Sequence, residues 1–498
     1  MAAGDMIVLT DSINDIDTSD QCLVFDGFQK AFVVNGTNLK VADFTNHKLT
    51  HDALATAHAH GDVLTQATSG ATMIVDFTDT AKTHTYGFVS NGTFTTAYQV
   101  TGSGSGTAFT PSAVTANPHW YDWTVYPGGA SGTMPTTAYL GCLYRGRAVL
   151  SGNPFYPFQW YMSRQANPWD FAYTANDAQS PVAGGNSDAG ELGDIVRALI
   201  PYRDEYLVFG CANSIWVLKG DPAEGGVLQE VDLTKGIFGA FSWCFDADGN
   251  LYFAGSNGIY ILPFGFGPIV DLSGLLLPEI FDDVQIDTHR VLLAYDRDNE
   301  GILITVVTLA SGVNTNYFYS LKTKGFFPET YPTSCGAYSL LNYDSTDKDY
   351  SGLLIGAADG YIRVHDLATK NDATTSSTSA ISANMVLPVI QSDDGNNKVK
   401  MISESIVLAG GASGSEYSDS DGATVDIHVA DDPETLIEQI VSEATPLHTT
   451  DISGPGKATR MRNRATGNAI GINVKNTTAS QSFAVERISA ELSEVNKY

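Results

Sequence analysis

The chain reads as an all-β protein: a β-propeller of about six blades, with a small β module inserted near its start and a β-sandwich-like domain at its C-terminal end. Three observations predict this. Strand formers (Thr, Tyr, Phe) and turn formers (Gly, Asn, Ser) are abundant, while runs of Leu, Glu, Lys and Ala that would build helices are scarce. A twelve-residue strand–turn–strand pattern recurs without gaps. The spacing of that pattern falls in the 40–50-residue range at which propeller blades repeat.

The pattern comes first because the other elements hang on it. Leu207–Leu218 reads LVFGCANSIWVL, Leu251–Leu262 LYFAGSNGIYIL, Leu353–Val364 LLIGAADGYIRV and Ala31–Ala42 AFVVNGTNLKVA. Each has an apolar strand, about four small or turn-forming residues, and a second alternating strand. The turn pairs are Asn213-Ser214, Asn257-Gly258, Asp359-Gly360 and Thr37-Asn38. Asn-Gly and Asp-Gly predict type I′ hairpins, whose two central residues both need positive φ. The step from 207 to 251 is 44 residues, and that from 251 to 353 is 102, about two units of 51. Gly301–Leu309 with Asn316–Leu321 fills the gap, and Ala148–Ser151 with Gln159–Ser163 adds an imperfect unit. The blades therefore sit near residues 31, 148, 207, 251, 302 and 353. Ala198–Tyr202, Phe241–Asp246, Val291–Tyr295 and Ala337–Tyr343 supply strands ahead of the hairpins.

Two stretches break the period. Gly61–Thr110 has short strands with polar alternation and ends in Gly102-Ser103-Gly104-Ser105-Gly106, a flexible hairpin or linker. The Thr/Ser run Ala373–Ser382 reads as a solvated linker or disordered loop, and fresh strands follow it. The expected division is a first blade at 1–60, the inserted module at 61–110, the remaining blades at 111–384 and the C-terminal domain at 385–498.

Over its 498 residues the chain carries 27 Lys and Arg against 56 Asp and Glu, a net charge of −29. Gripping nucleic-acid phosphates through the general surface would need clustered cations, so the composition argues against it. Such a balance suits solubility in a crowded assembly, or a negative wall past which a polyanion slides. The five cysteines are odd in number and widely spaced, with no CxxC, which argues against a disulfide framework or zinc ribbon. Cys211 and Cys244 lie in apolar strand patterns and read as buried thiols. Met1–Asp20 lacks the apolar core of a secretory signal, and no run of about 18 apolar residues is long enough to span a membrane.

Candidate chemistry is sparse. Asp246-Ala-Asp248-Gly249-Asn250 and Asp419-Ser-Asp421-Gly422 with Asp426 resemble fragments of calcium loops but lack the full ligand set; the first reads as a plain turn. His47, His51, His58 and His60 are the one histidine cluster, read as a solvated connector rather than a metal site. The Gly/Ser run 102–106 only approaches Gly-x-Ser-x-Gly, having Gly104 at its centre, and it lacks the strand–turn–helix setting of a nucleophile elbow. Asp194, Asp246 and Asp296 are open candidates for a carboxylate pair. Arg460, Arg462 and Arg464 alternate in KATRMRNRA and would share one strand face; they either pair with acids of the same chain or contact an acidic neighbouring subunit. No catalytic residue, cofactor or metal ligand is assigned.

Several short stretches together resemble the propeller of bacteriophage tail proteins, especially the nozzle or tail-tube proteins of short-tailed phages. They are Tyr144-Arg145-Gly146-Arg147, Met162-Ser163-Arg164, Asn167-Pro168-Trp169-Asp170-Phe171, Tyr206–Phe209 with Ile215–Leu218 and Gly220, Lys235-Gly236-Ile237-Phe238-Gly239, and Gly258-Ile259-Tyr260. In the insert, Gly61–Leu64, Thr68–Thr72 and Asn91–Phe94 are similar to a module that recurs in phage tail proteins, and Arg462–Arg487 is similar more faintly. The resemblance covers about 60% of the chain. It implies a non-enzymatic virion protein of the tail, assembled in the host cytoplasm. It further implies a ring of identical subunits such as a hexamer, a portal or adaptor, other tail proteins and fibres as partners, and genome DNA that passes without tight binding. Neck, hub and fibre-attachment roles fit the same residues. The alternative is a receptor-recognition propeller that binds or cleaves glycans, which would gather exposed aromatics and acids at a pocket.

Overall fold

The computed structural model describes residues 9, 15–17, 21–125, 134–173, 177–186, 190–274, 276–277, 280–347, 351–366, 369–374, 377–392, 397–410, 420–455 and 458–495. The fold is all-β, with a succession of antiparallel meander sheets of the propeller type. Two compact units divide the chain, 1–295 and 296–498.

Unit one holds four four-stranded sheets. They are Leu23–Gly27, Lys30–Val34, Leu39–Asp43 and His119–Asp122; then Leu140–Tyr144, Arg147–Asn153, Tyr156–Met162 and Val182–Ala183; then Val196–Tyr202, Tyr206–Cys211, Ile215–Lys219 and Val227–Asp232; then Trp243–Phe245, Leu251–Ala254, Ile259–Leu262 and Val270–Asp271. In unit two, Gly301–Thr308, Asn314–Ser320 and Gly325–Glu329 pair in order, and so do Ala337–Tyr343, Gly352–Ala357 and Ile362–Val364. Each of the four aligned twelve-residue segments supplies the second and third strands of its sheet. Three share one register, with Ala31 opposite Ala42, Leu207 opposite Leu218 and Leu251 opposite Leu262. The fourth slips by one residue, setting Leu354 opposite Val364.

The turn chemistry differs from expectation. The second-to-third turns are four-residue loops closed by bonds such as Cys211 N to Ser214 O (2.8 Å) and Gly255 N to Gly258 O (2.9 Å). Asn213, Ser214, Asn257 and Gly258 stay out of the left-handed region, because a four-residue loop reverses the chain without two left-handed residues. Tight two-residue turns instead join first and second strands, at Phe28-Gln29 (φ 53° and 58°) and Arg145-Gly146 (φ 48° and 69°).

The sheets pack face to face. Leu140, Trp160 and Met162 of the second meet Leu199, Phe209 and Leu218 of the third. Ile200 and Val208 of the third meet Phe253 and Tyr260 of the fourth. Large side chains interdigitate across these faces, so parting two sheets would open voids along the whole contact.

The inserted module is larger than the 61–110 expected from the sequence. Its six-stranded sheet runs in the order Val100–Gly102, Val63–Gln66, Thr72–Thr78, His84–Asn91, His47–Thr50, Ala113–Thr115. It therefore begins within the stretch read as the first blade, and that blade closes only at His119–Asp122. Leu49, Leu64, Met73, Val75, Val100 and Phe109 form the module's own core. Phe77 and Tyr86, however, pack with Phe32, Val41 and Tyr121 of the first sheet and with Trp169. These two aromatics tie the module to the first sheet.

The run Ala373–Ser382 is not simply a linker. Asn371–Ala373 and Thr378–Ala380 pair as a small hairpin. Beyond it, two sheets form a sandwich. One has the order Ala383–Val386, Ala469–Asn476, Ala423–Ala430, His448–Ile452; in the other, Lys398–Leu408 pairs with Ala458–Met461 and Ala465–Gly467 on one side and Val485–Val495 on the other. Val399, Met401 and Ile406 face Val425, Ile427 and Ile472 between them. The helix Pro433–Val441 starts at Asp432, whose Oδ1 accepts the Thr435 amide at 2.8 Å, and it buries Leu436 and Ile440.

Candidate functional site

The arginine row is where the sequence placed it, on the surface of the C-terminal sandwich, but it does not occupy one strand. Arg460 lies in Ala458–Met461, opposite Ser405, and Arg462 and Arg464 lie in the connection to Ala465–Gly467. The three exposed side chains alternate with Met461, Asn463 and Ala465, which turn inward. Asn463 anchors the connection: its Nδ2 donates to Glu404 Oε1 at 2.6 Å and to Thr450 Oγ1 at 3.0 Å. Glu404 is buried, and burial raises its carboxyl above the usual range. Arg460 reaches Glu491 Oε2 at 2.9 Å on the adjoining strand Val485–Val495. Such an exposed pair contributes little to stability, on the order of 0–1 kcal/mol. The row thus divides into one arginine paired within the chain and two that point outward. This surface is the candidate subunit interface.

The residues that carry the phage-tail resemblance do something different. One of them, Arg147, is fully buried. Its Nε donates to Asp221 Oδ2 at 3.0 Å, and Nη1 donates to the carbonyls of Ser163 (3.0 Å), Gln179 (3.2 Å) and Ser180 (2.7 Å). Nη2 donates to the Ala178 carbonyl at 3.2 Å. Asp221 follows the third strand of the next sheet, so this guanidinium bolts two sheets together. Tyr144 repeats the bridge, its hydroxyl shared between the carbonyls of Glu205 and Gly220 at 3.0 Å each. Burial pushes that phenol up to about 12. Further along, the Ile237 amide donates to Cys211 O (2.9 Å) and the Phe238 amide to Ala254 O (2.8 Å), stapling the third sheet to the fourth. Gly236 is required here because a Cβ would collide with the Ala212 carbonyl.

The histidine cluster is a correction. His51 and His58 are buried in the module, flanking Phe109 at 4.1 and 5.7 Å, rather than lying in a solvated connector. Burial lowers both imidazoles, and among the described residues no group of three His, Cys, Asp or Glu is arranged for a metal. Gly102, Gly104 and Gly106 are not a flexible run. A Cβ on the first or third would strike the His58 ring, and one on the second the Asp62 carboxylate, so these glycines allow close approach. The calcium fragments are also spoken for. Asp246 caps its own turn, with Oδ1 accepting the amides of Asp248 (3.0 Å) and Asn250 (2.8 Å), the plain turn expected. Asp426 is a buried strand residue paired with Lys475 Nζ at 2.6 Å, and Asp421 accepts the Ser482 amide at 2.9 Å; Asp419 lies outside the described residues. Asp194 caps the Asn213-Ser214 turn, accepting the Asn213 amide at 2.7 Å.

Two charged clusters form around residues the sequence singled out only separately, His60 in the first and the carboxylate candidate Asp296 in the second. In unit one, Lys30 is buried with its Nζ 2.9 Å from Asp76 Oδ2 of the module and 3.8 Å from Asp43 Oδ2. Asn46 bridges the two carboxylates, and Tyr121 donates to Asp43 at 2.9 Å. Burial alone would raise the Asp76 carboxyl, but His60, Lys30 and Asn46 outweigh it and hold it low. In unit two, Asp296 Oδ2 lies 2.9 Å from His365 Nδ1, and Glu329 Oε2 lies 3.6 Å from its Nε2. Tyr331 donates to the same Glu329. Nothing in a lone Lys30 or His365 announces such partners, which come from strands far apart in the chain. The thiols of Cys142, Cys211 and Cys244 are buried and form no disulfide, and burial pushes Cys211 up to about 12.

No protein-family model matches the chain, and no curated protein matches it. Among solved structures, a structural-genomics protein of unknown function from Bacteroides thetaiotaomicron aligns at 10% identity over 70% of this chain and 86% of that one, with TM-score 0.28. The extracellular domain of a putative hybrid two-component system, BT3049 of the same organism, aligns at 10% identity over 94% of this chain and 67% of that one, with TM-score 0.26. The phage phi92 endosialidase aligns at 9% identity over 72% and 66%, with TM-score 0.21.

Proposed function

We propose that the chain is a structural subunit of the tail of a tailed bacteriophage, at the nozzle or tail-tube position. In this reading it assembles with copies of itself into a closed ring, abuts a portal or adaptor and other tail parts, and lets genome DNA pass without gripping it. A closed ring needs two different faces on each subunit. The outward Arg462 and Arg464, and the strand Val485–Val495 of the same sandwich, which carries Glu486, Glu491 and Glu494, are offered as those faces.

One observation carries the proposal: the way the fold disposes of its few cations. Eleven of the 27 lysines and arginines already sit in ion pairs with acids of the same chain, among the described residues. Duplex DNA presents about one negative charge per 1.7 Å, and retention needs several free cations along its path. A surface with this balance repels a polyanion and lets it slide.

The purified protein is expected to form rings in negative-stain electron microscopy and to show negligible affinity for duplex DNA at low salt. Tight, salt-sensitive DNA binding that disappears with Arg460, Arg462 and Arg464 replaced by Glu would overturn the reading. So would a strictly monomeric protein at high concentration.

A further inference from the structure

At one end of the sheets of unit one lies a cavity of about 450 Å³. Its walls come from the starts of first strands and from second-to-third loops, which a meander places at the same end of each sheet. Tyr139, Phe238 and Phe241 give it an aromatic lining, Arg197 and Arg290 give it its charge, and His289 stands beside them. Among the described residues no aspartate or glutamate lines it, in a chain where acids outnumber bases 56 to 27.

Arg197 reaches the cavity by a specific device. In the strand Val196–Tyr202, Val196 pairs with Cys211 and Ala198 with Gly210, so Arg197 is the extra residue of a β-bulge. Its neighbours Val196 and Ala198 are fully buried. Bulges re-aim a side chain and recur beside binding sites. Among the described residues Arg197 enters no ion pair, whereas Arg147 and Arg164 of the neighbouring sheet both have an aspartate partner. Smaller polar groups of the cavity are occupied: Tyr139 donates to the Val196 carbonyl at 3.1 Å and Ser242 to the Val291 carbonyl at 2.8 Å. What is left to meet a ligand is the Arg197 guanidinium, together with Nε2 of Gln21, a buried amide nitrogen of the lining that has no hydrogen-bond partner.

We infer that this cavity binds a small organic carboxylate, with Arg197 as the residue that takes the carboxylate and the aromatic walls covering the body of the ligand. A planar guanidinium matches a carboxylate through two parallel hydrogen bonds. The volume suits a ligand the size of one or two sugar rings, within the roughly 300–1,000 Å³ range of small-molecule sites. The carboxylate can belong to a free acid or to an acidic sugar at the end of a glycan. Among the described residues the lining has no carboxylate pair of the glycoside-hydrolase kind, so the assignment is recognition, not cleavage. It is independent of ring formation.

The test is calorimetric titration of the full chain with glucuronate, glucose and inorganic phosphate, and with an oligosaccharide ending in glucuronate. Glucuronate is expected to bind saturably and glucose not at all. Arg197→Ala should weaken glucuronate at least about tenfold, Arg197→Lys less, and Arg297→Ala, at an exposed arginine outside the cavity, not at all. Tighter binding of the oligosaccharide assigns a glycan-borne acid; binding of glucuronate alone assigns a free one. Absence of binding by both acids, equal binding of glucose, phosphate binding as tight as glucuronate, or full binding by an Arg197→Ala protein with unchanged melting temperature would each overturn the inference.

Discussion

Arg147 and the row Arg460, Arg462, Arg464 are the same side chain in opposite circumstances. The first is fully buried and makes five hydrogen bonds across two sheets; the others are exposed and, among the described residues, make one ion pair between them. The buried one lies in the stretch that carries the resemblance to phage tail proteins. The recognisable residues around Arg147 thus include ones that lock sheet to sheet, while the fainter similarity of Arg462–Arg487 takes in two arginines of the exposed row. Residues free to act on partners lie outside the locking contacts.

The greatest loss is expected from Arg147→Ala. It strands Asp221 without its cation and leaves three carbonyls or more unsatisfied, so it should cost about 3–5 kcal/mol in urea unfolding. Arg147→Lys should recover little, since an ammonium cannot reach the fan of acceptors. A loss under about 1 kcal/mol would mean that the clamp does not hold the sheets, and the distinction between buried and exposed arginines would collapse.

His365 stands between the two cases, because it is buried like Arg147 yet can lose its charge. Burial by itself lowers its pKa, but the bonds to Asp296 and Glu329 outweigh that and hold it at about 9. The folded value exceeds the ordinary 6.5, so its contribution is complete below about 6.5 and is lost as pH rises through about 9. The loss is on the order of 3 kcal/mol across that window, if unit two unfolds cooperatively. Asp296 moves the other way: held low, it stabilises above 3.8 and fails as pH falls. Unfolding followed from pH 6 to 10, with His365→Gln as control, checks this; the variant should show a flat profile over the alkaline limb.

A smaller effect belongs to Gly106→Ala. Its Cβ would meet the buried His58 ring, so overpacking should cost about 1–3 kcal/mol in melting experiments. If Gly106→Ala is neutral, the glycine run is a flexible linker after all. The least change in stability is expected from charge reversal at Arg460, Arg462 and Arg464. Stability of the isolated chain should stay within about 0.5 kcal/mol, while ring assembly is lost. A triple variant that unfolds would move these arginines into the same class as Arg147.

Local sequence was enough for the strands, their grouping and the repeat. Period-2 alternation and turn residues are local signals, so six second strands near 31, 148, 207, 251, 302 and 353 were legible from the amino-acid pattern alone. The helix Pro433–Val441 also carries a local signal, an Asp-Pro start followed by apolar residues at 436 and 440, but strand patterns on both sides mask so short an element. Long-range packing settled the rest. That the first sheet closes at His119–Asp122, after a six-stranded detour, depends on pairing across about 75 residues, which no local pattern encodes. That Arg147 faces Asp221, that Lys30 meets Asp76 and that His365 meets Asp296 depends on which strands come to lie together. That Arg197 turns into a cavity depends on a one-residue bulge in its pairing with the neighbouring strand. Alternation tells a residue which face of its strand it is on; only the packed sheets determine what stands opposite.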